Sequence, residues 1–207
     1  MNNPWLKISH YDYENHMLEI GQAQVLNNLT KYYLDKYCPE SFALLGCTTG
    51  NGLEHIKSET TKYVHAIDIN PNYLQRTKER FKDEIKNLKT YNIDIQKSEL
   101  SINNIDLFFT GLVLEYVEPI KSLNKIIQCL NEDGVLIVII QKNTHTSSVS
   151  KTEYKSLEKL SDIFNEVNEG KIDEFIQSRK MELIKRNEIE LTKNKSFILL
   201  EYRMKRK

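Results

Sequence analysis

The chain has 207 residues, with 29 Lys and Arg against 29 Asp and Glu, so its formal net charge is zero. That length suits one well-buried core better than two, and the missing basic excess argues against nucleic acid as a partner. Cys38, Cys47 and Cys129 stand far apart with no Cys-x-x-Cys pair, which supports neither a disulfide framework nor a metal site; no apolar run is long enough to span a bilayer and no leader pattern opens the chain, so no membrane partner and a cytoplasmic location are expected.

The first elements are aromatic. Trp5, His10, Tyr11, Tyr13 and His16 precede a helical pattern in which Leu18, Val25, Leu26, Leu29 and Tyr33 recur at helical spacing, ending near Tyr37 ahead of Pro39. Bulky rings in front of a first helix either fold over a ligand as a lid that excludes water or pack the outside of a sheet. Residues 41–56 then read Ser-Phe-Ala-Leu-Leu-Gly-Cys-Thr-Thr-Gly-Asn-Gly-Leu-Glu-His-Ile: a short apolar run, three of the chain's seven glycines, and an amphipathic segment. That is strand, tight turn, and a short crossover helix over residues 50–57. Gly46 and Gly50 can adopt backbone angles closed to other residues and let a ligand lie against bare main chain, faced by the unpaired N–H groups of the new helix. Val64-His65-Ala66-Ile67-Asp68 follows as a second buried strand closed by a carboxylate. In a doubly wound sheet an acid roughly 20 residues beyond the first glycine is placed to bind ribose hydroxyls. Glycine turn and ribose acid together imply an adenosine-containing ligand. The spacing is neither the dinucleotide pattern Gly-x-Gly-x-x-Gly nor a phosphate loop ending in Gly-Lys-Ser or Gly-Lys-Thr.

Asn70-Pro71 is a strong helix start, since Asn accepts from orphan amides and Pro has no donor to lose. The helix is predicted to run to about residue 82, with Tyr73, Leu74 and Phe81 inward. Residues 88–95 read as a third strand carrying Asp94, an acid that turns and caps also favour. Residues 105–110 form a fourth. Glu118-Pro119 starts the next helix, with Leu123, Ile126, Ile127 and Leu130 as its buried stripe, and Asn131-Glu132-Asp133-Gly134 is the turn after it. Residues 135–140 are unbroken apolar sequence, the mark of a central parallel strand covered on both faces. Residues 143–150 are a polar loop, followed by amphipathic helical pieces over 154–167 and 172–176 around Gly170. Residues 181–191 and 196–204 alternate apolar and polar and are joined by Thr192-Lys193-Asn194-Lys195, an antiparallel hairpin. The basic tail from Arg203 to Lys207 reads as solvated.

Gly46-Cys47-Thr48-Thr49-Gly50-Asn51-Gly52 resembles the S-adenosylmethionine loop of class I methyltransferases, usually Asp-x-Gly-x-Gly-x-Gly, with Leu44 at the position of the usual acid and Thr48 at that of the middle glycine. Later strand ends extend the resemblance over about residues 42–140. Asp94 stands where an acid commonly accepts from the adenine amino group, with Ile95 as the apolar neighbour over the ring. Asp106 enters the fourth strand, and Leu114-Glu115-Tyr116 is a Leu-Glu-His-like exit from it. The resemblance implies an α/β fold, a Rossmann-like three-layer αβα sandwich whose seven-stranded, mostly parallel sheet ends in a C-terminal antiparallel hairpin. It implies one domain over 1–207: a lid and helix (1–37), a cofactor-binding core (38–141), a variable helical insert (142–180) and the hairpin (181–207).

It further implies S-adenosylmethionine as cofactor, held by Gly46, Cys47, Thr48, Gly50, Asp68, Ile69, Asp94, Ile95, Thr110 and Gly111. The methionine carboxylate is expected near the N–H groups after Gly50, the amino group near Gly46 and the carbonyls of Thr110 and Gly111. The ribose falls on Asp68, and the adenine between Ile69 and Ile95 with Asp94 at its edge. Methyl transfer to a small-molecule acceptor is the implied activity, with a protein side chain as the other acceptor. Thr110-Gly111-Leu112-Val113 is not the Asn- or Asp-Pro-Pro-Tyr of adenine-N6 and cytosine-N4 enzymes, and no Pro-Cys nucleophile of the cytosine-C5 enzymes exists. A sulfonium is already a potent donor, so holding the acceptor in line and dry is enough. Where a proton must leave, Tyr13, His16, Glu115, Tyr116 and His145 are the candidates. Thr144, His145 and Tyr154 either touch the acceptor or belong to a solvated loop. Leu44 and Thr48 also admit a non-catalytic binder of S-adenosylmethionine or S-adenosylhomocysteine; an NAD-dependent oxidoreductase is more distant because of the glycine spacing. The oligomeric state is not written in the sequence.

Overall fold

A computed structural model of the chain describes residues 3–205. The helical pattern at the N-terminus is two helices, α1 (His10–Glu19) and α2 (Gln22–Tyr37), interrupted at Gly21. Ser9 starts α1 by accepting the Asp12 N–H, so the aromatic stretch expected ahead of the first helix is itself mostly helical. Five parallel strands follow: β1 (Ser41–Leu45), β2 (Tyr63–Asp68), β3 (Leu88–Asn92), β4 (Ile105–Gly111) and β5 (Leu130–Asn143). The helices α3 (Pro71–Phe81), α4 (Pro119–Cys129) and α5 (Glu169–Ser178) are interleaved, and β6 (Met181–Thr192) and β7 (Lys195–Met204) close the chain. The sheet order is β3-β2-β1-β4-β5-β7-β6, with β7 antiparallel to both neighbours, as the class I resemblance implies. The order reverses between β1 and β4, and in open sheets a crevice for ligands lies outside the strand ends at such a point.

Strand β5 shows why the core has two halves. Along it Leu136, Val138 and Ile140 join a cluster with Leu123 and Ile126 of α4 and Ile172 and Ile176 of α5. The intervening Val135, Ile137 and Ile139 join another with Leu34 of α2 and Leu74 and Phe81 of α3. Side chains that alternate across a strand, all of them apolar, require cover on both faces, and that makes the three-layer sandwich. The two Pro-led helices start as their caps predict: Asn70 accepts the Asn72 N–H and Glu118 the Lys121 N–H.

Four elements differ from expectation. The first crossover is a single 3-10 turn over Leu53–His55, not a helix through residues 50–57. The Glu54 carboxylate takes the Gly52 N–H and the Asn51 side chain bonds the Ala23 carbonyl, so side chains compete for groups that helical bonds would use. The third strand stops at Asn92, because Asp94 accepts the Gln96 N–H and turns the chain. Residues 154–167 form a 3-10 segment over Lys155–Ile163 rather than an α-helix, and residues 131–134 are drawn into an irregular start of β5. Among the described residues no helix is long and apolar enough to cross a membrane.

Candidate active site

The loop after β1 is built around Asp68. The N–H groups of Gly46 and Cys47 both donate to the Ile67 carbonyl, at 2.8 and 3.1 Å, which ties the turn to the end of β2. Thr48 then sits at φ +48°, a left-handed conformation costly for a β-branched residue. It is held from both sides: its N–H donates to Asp68 Oδ2 at 2.8 Å and its carbonyl accepts the Thr77 hydroxyl at 2.8 Å. The other Asp68 oxygen accepts the Asn70 N–H at 2.8 Å, so one carboxylate pins both the loop and the start of α3. Asp68 is 6% exposed, and burial pushes its pKa up to about 6 against the downward pull of these N–H donors.

The glycines do a different job from the one expected. At Gly46 (φ +69°) an added Cβ would stand 2.4 Å from Val113 Cγ2, so the turn leaves room for a side chain from beyond β4. At Gly50 a Cβ would stand 2.6 Å from the Phe81 ring, so this residue lets α3 pack close and does not reach the ligand side. The Gly50 N–H is used inside the turn, on the Cys47 carbonyl at 2.8 Å, and the Gly52 N–H on Glu54 at 2.8 Å. Of the amides after Gly50, where the methionine carboxylate is expected, those of Gly52 and Leu53 are already engaged, the latter on the Gly50 carbonyl at 3.0 Å.

One cavity lies outside the strand ends, and Gly46, Thr48, Asp68, Ile69, Asp94, Ile95 and Gly111 all line it. Three other residues expected on it do not. Cys47 is buried beneath the loop, its thiol pushed up by burial and the nearby Asp68 charge; Gly50 faces Phe81; Thr110 is buried off the wall, with no hydrogen-bond partner for its hydroxyl. Of the residues considered for proton handling, Tyr13, His16, Glu115 and Tyr116 line the cavity. His145 does not: it is exposed at φ +52° in the loop after β5. Thr144 is exposed beside it, and Tyr154 packs edge-on to Tyr11 at 6.2 Å, away from the wall.

Of the N-terminal aromatic and imidazole residues, Trp5, Tyr13 and His16 line this cavity, and His10 and Tyr11 do not. Trp5 meets Tyr116 edge-on at 5.1 Å and Tyr13 at 6.0 Å, Tyr13 meets Tyr73 at 5.8 Å, and Tyr116 meets Phe164 at 5.9 Å. Polar contacts fasten the segment down. The Asn70 amide donates to the Trp5 carbonyl at 2.8 Å, Arg80 pairs with Glu14 at 2.7 Å, and His16 Nδ1 lies 2.8 Å from the Thr152 hydroxyl. Leu157, Leu160 and Phe164 complete the wall from a segment with no motif to announce it. Gln22 and Gln141 also line the cavity, hydrogen-bonded to each other at 3.0 Å. Gln141 had a sequence signal: it is the first polar residue after the unbroken apolar run.

Glu115 sits on a 3-10 turn over Leu114–Tyr116, just past β4, and is fully buried. One oxygen accepts the Gln141 main-chain N–H at 2.6 Å; the other, Oε2, has no hydrogen-bond partner. Burial pushes its pKa up to about 7. His16 goes the other way, lowered first by burial and then by the Lys195 charge. Asp68 at the end of β2 and Asp94 offer acceptor oxygens and Ile69 and Ile95 apolar surface on one wall, chemistry that fits an adenosyl group.

Residues 44–138 match a family model described as a methyltransferase domain. No curated protein matches the sequence. Among solved structures the chain is similar to the N-methyltransferase NodS from Bradyrhizobium japonicum WM9 in complex with S-adenosyl-L-homocysteine, at 14% identity over 89% of this chain and 88% of that one, TM-score 0.67. It is similar to geranyl diphosphate C-methyltransferase from Streptomyces coelicolor A3(2), at 7% identity over 86% and 76%, TM-score 0.65. It is also similar to the cyclase SpnF, at 10% identity over 87% and 81%, TM-score 0.66. At such identities the likeness is one of fold. The methyltransferase-domain model thus matches just under half of the chain, across the sheet core, and the strand order is that of the class I methyltransferase fold.

Proposed function

We propose that this protein transfers a methyl group from S-adenosylmethionine to a small-molecule acceptor, and that the two ligands share the cavity that Gly46, Asp68 and Trp5 line. The observation that carries this reading is continuity. The wall with Gly46, Asp68, Ile69, Asp94 and Ile95 runs without a break into the wall with Trp5, Tyr13, Tyr116 and Phe164. When bound, the sulfonium supplies an activated methyl carbon. The chain's own residues then have three tasks: Asp68 accepts from ribose hydroxyls, Ile69 and Ile95 cover the adenine faces with Asp94 at the edge, and the aromatic lid keeps water from the reacting centre. A cavity lined by these aromatic side chains favours a small molecule over a protein side chain as acceptor.

A second reading, binding without catalysis, is favoured by Leu44 and Thr48, which depart from the usual loop, and by a fold shared with a protein named as a cyclase. Thermal unfolding separates the ligand classes. At about a hundredfold excess over its dissociation constant a native-state ligand adds roughly 2.7 kcal/mol, which for a chain of this size is a rise of about 5–10 °C. S-adenosylmethionine and S-adenosylhomocysteine should each give such a rise, and NAD none; the reverse ranking ends this reading. Asp68→Ala should weaken S-adenosylhomocysteine binding about tenfold or more by calorimetry. Release of S-adenosylhomocysteine with an added acceptor then distinguishes enzyme from binder.

A further inference from the structure

Glu115 is a fully buried carboxylate whose Oε2 accepts no hydrogen bond, on the wall of a ligand cavity. A buried acceptor without a donor is costly, and native structures keep one mainly where something else supplies the donor. Asp68 already does the structural work at the strand ends, pinning the loop and α3, whereas Glu115 holds only the Gln141 N–H. The charges on the wall are one-sided. Asp68, Asp94 and Glu115 line the cavity and, among the described residues, no lysine or arginine does; Lys97 pairs with Asp94 at 2.9 Å, and burial together with the Lys195 charge biases His16 to the neutral form. Four aromatic rings, Trp5, Tyr13, Tyr116 and Phe164, share the wall, and ring faces attract cations.

We propose that Glu115 Oε2 receives an N–H of the methyl acceptor, and that the acceptor is an amine on an apolar or aromatic frame rather than a phosphorylated or carboxylated molecule. This rests on the methyl-transfer reading above. An alcohol could also fill Oε2, but the acids and rings together add attraction only for a cation, and they repel an anion. The acceptor enters as an ammonium and gives one proton to the Glu115 carboxylate, which exposes the nitrogen lone pair. That pair forms the bond to the methyl carbon as the carbon–sulfur bond breaks, its electrons staying on sulfur. The products are a methylated ammonium and a neutral thioether, and Glu115 returns its proton to water when the lid opens. A carboxyl pushed up to about 7 is well matched to taking and releasing that proton.

Calorimetry on protein saturated with S-adenosylhomocysteine tests this with 2-phenylethylamine, tryptamine, 2-phenylethanol and phenylacetate. An amine should bind at least tenfold more tightly than the alcohol, and phenylacetate should give no binding heat. Glu115→Gln should lose at least tenfold for the amine with S-adenosylhomocysteine affinity within twofold, and Phe164→Leu should lose about threefold to tenfold. The proposal is overturned if alcohol or acid binds as well as the amines, if neither amine binds, or if folded Glu115→Gln holds the amine unchanged. Should Glu115→Gln not fold, the ranking on the unaltered protein and Phe164→Leu decide. Failure of S-adenosylhomocysteine itself to bind would instead remove the methyl-transfer reading.

Discussion

Replacing Glu115 by glutamine removes one ionisation from the interior while keeping the side chain's size and an oxygen for the Gln141 N–H. In the folded protein burial pushes this carboxyl from 4.5 to about 7, and the unfolded chain restores the ordinary value. Below pH 4.5 both states carry the proton and ionisation costs nothing. Between pH 4.5 and about 7 the unfolded chain has lost the proton and the folded chain keeps it, so folding takes up a proton and stability falls as pH rises. Above about pH 7 both are ionised and the whole cost stays. The gap of about 2.5 in pKa, at about 1.36 kcal/mol each, amounts to about 3 kcal/mol. The glutamine variant has no such term. Asp68, which burial also raises, is common to both proteins and cancels in the difference. Urea unfolding of the ligand-free pair at intervals from pH 4.5 to 8.5 should show the variant gaining on the unaltered protein by about 3 kcal/mol up to neutrality, then no further. A difference that stays flat across that range, or grows toward acid, would refute a buried Glu115 carboxyl with a raised pKa.

The remaining predictions probe other parts of the same architecture. Gly46→Val places a branched side chain at φ +69° with its Cβ 2.4 Å from Val113 Cγ2, and should cost about 3 kcal/mol or more; a normal urea midpoint would mean that the turn is misplaced. Glu201 is fully buried and accepts from the Tyr33 hydroxyl, Lys36 Nζ and the Tyr37 hydroxyl. Glu201→Ala leaves the buried Tyr33 hydroxyl without its acceptor and removes the partner of Lys36 and Tyr37, and should destabilise by about 3 kcal/mol, read as a lower melting temperature with S-adenosylhomocysteine affinity per folded molecule unchanged. Trp5→Ala removes the ring that bridges Tyr13 and Tyr116, and should raise the S-adenosylhomocysteine dissociation rate roughly tenfold in stopped-flow measurements. An unchanged rate would mean that the N-terminal rings are packing and not a lid.

Much of this molecule was legible in one dimension. The unbroken run at residues 135–140, the caps Asn70 and Glu118 and the alternating C-terminal hairpin are local patterns, set by periods of 2 and 3.6 and by backbone groups a few residues away, and they carry the order of elements and hence the fold. Glycine spacing and the acid at residue 68 pointed to the end of the sheet where the cavity lies. What each residue does there was not legible. Gly50 looked like bare main chain for a ligand, yet it answers to Phe81, about thirty residues on and across the α3 packing. Asp68 looked like a ribose acceptor alone, yet it also holds the strained Thr48 and the first turn of α3. His145 and Glu115 were equal candidates in the sequence; only the register of β4 beside β5 buries one against Gln141, while the loop after β5 leaves the other in solvent. Local pattern decides what an element is, because the forces that form it act over a few residues. Which side chains converge, and whether a carboxylate among them keeps an oxygen unpaired, is decided by parallel strands whose partners lie far apart in the chain, and so belongs to the tertiary structure alone.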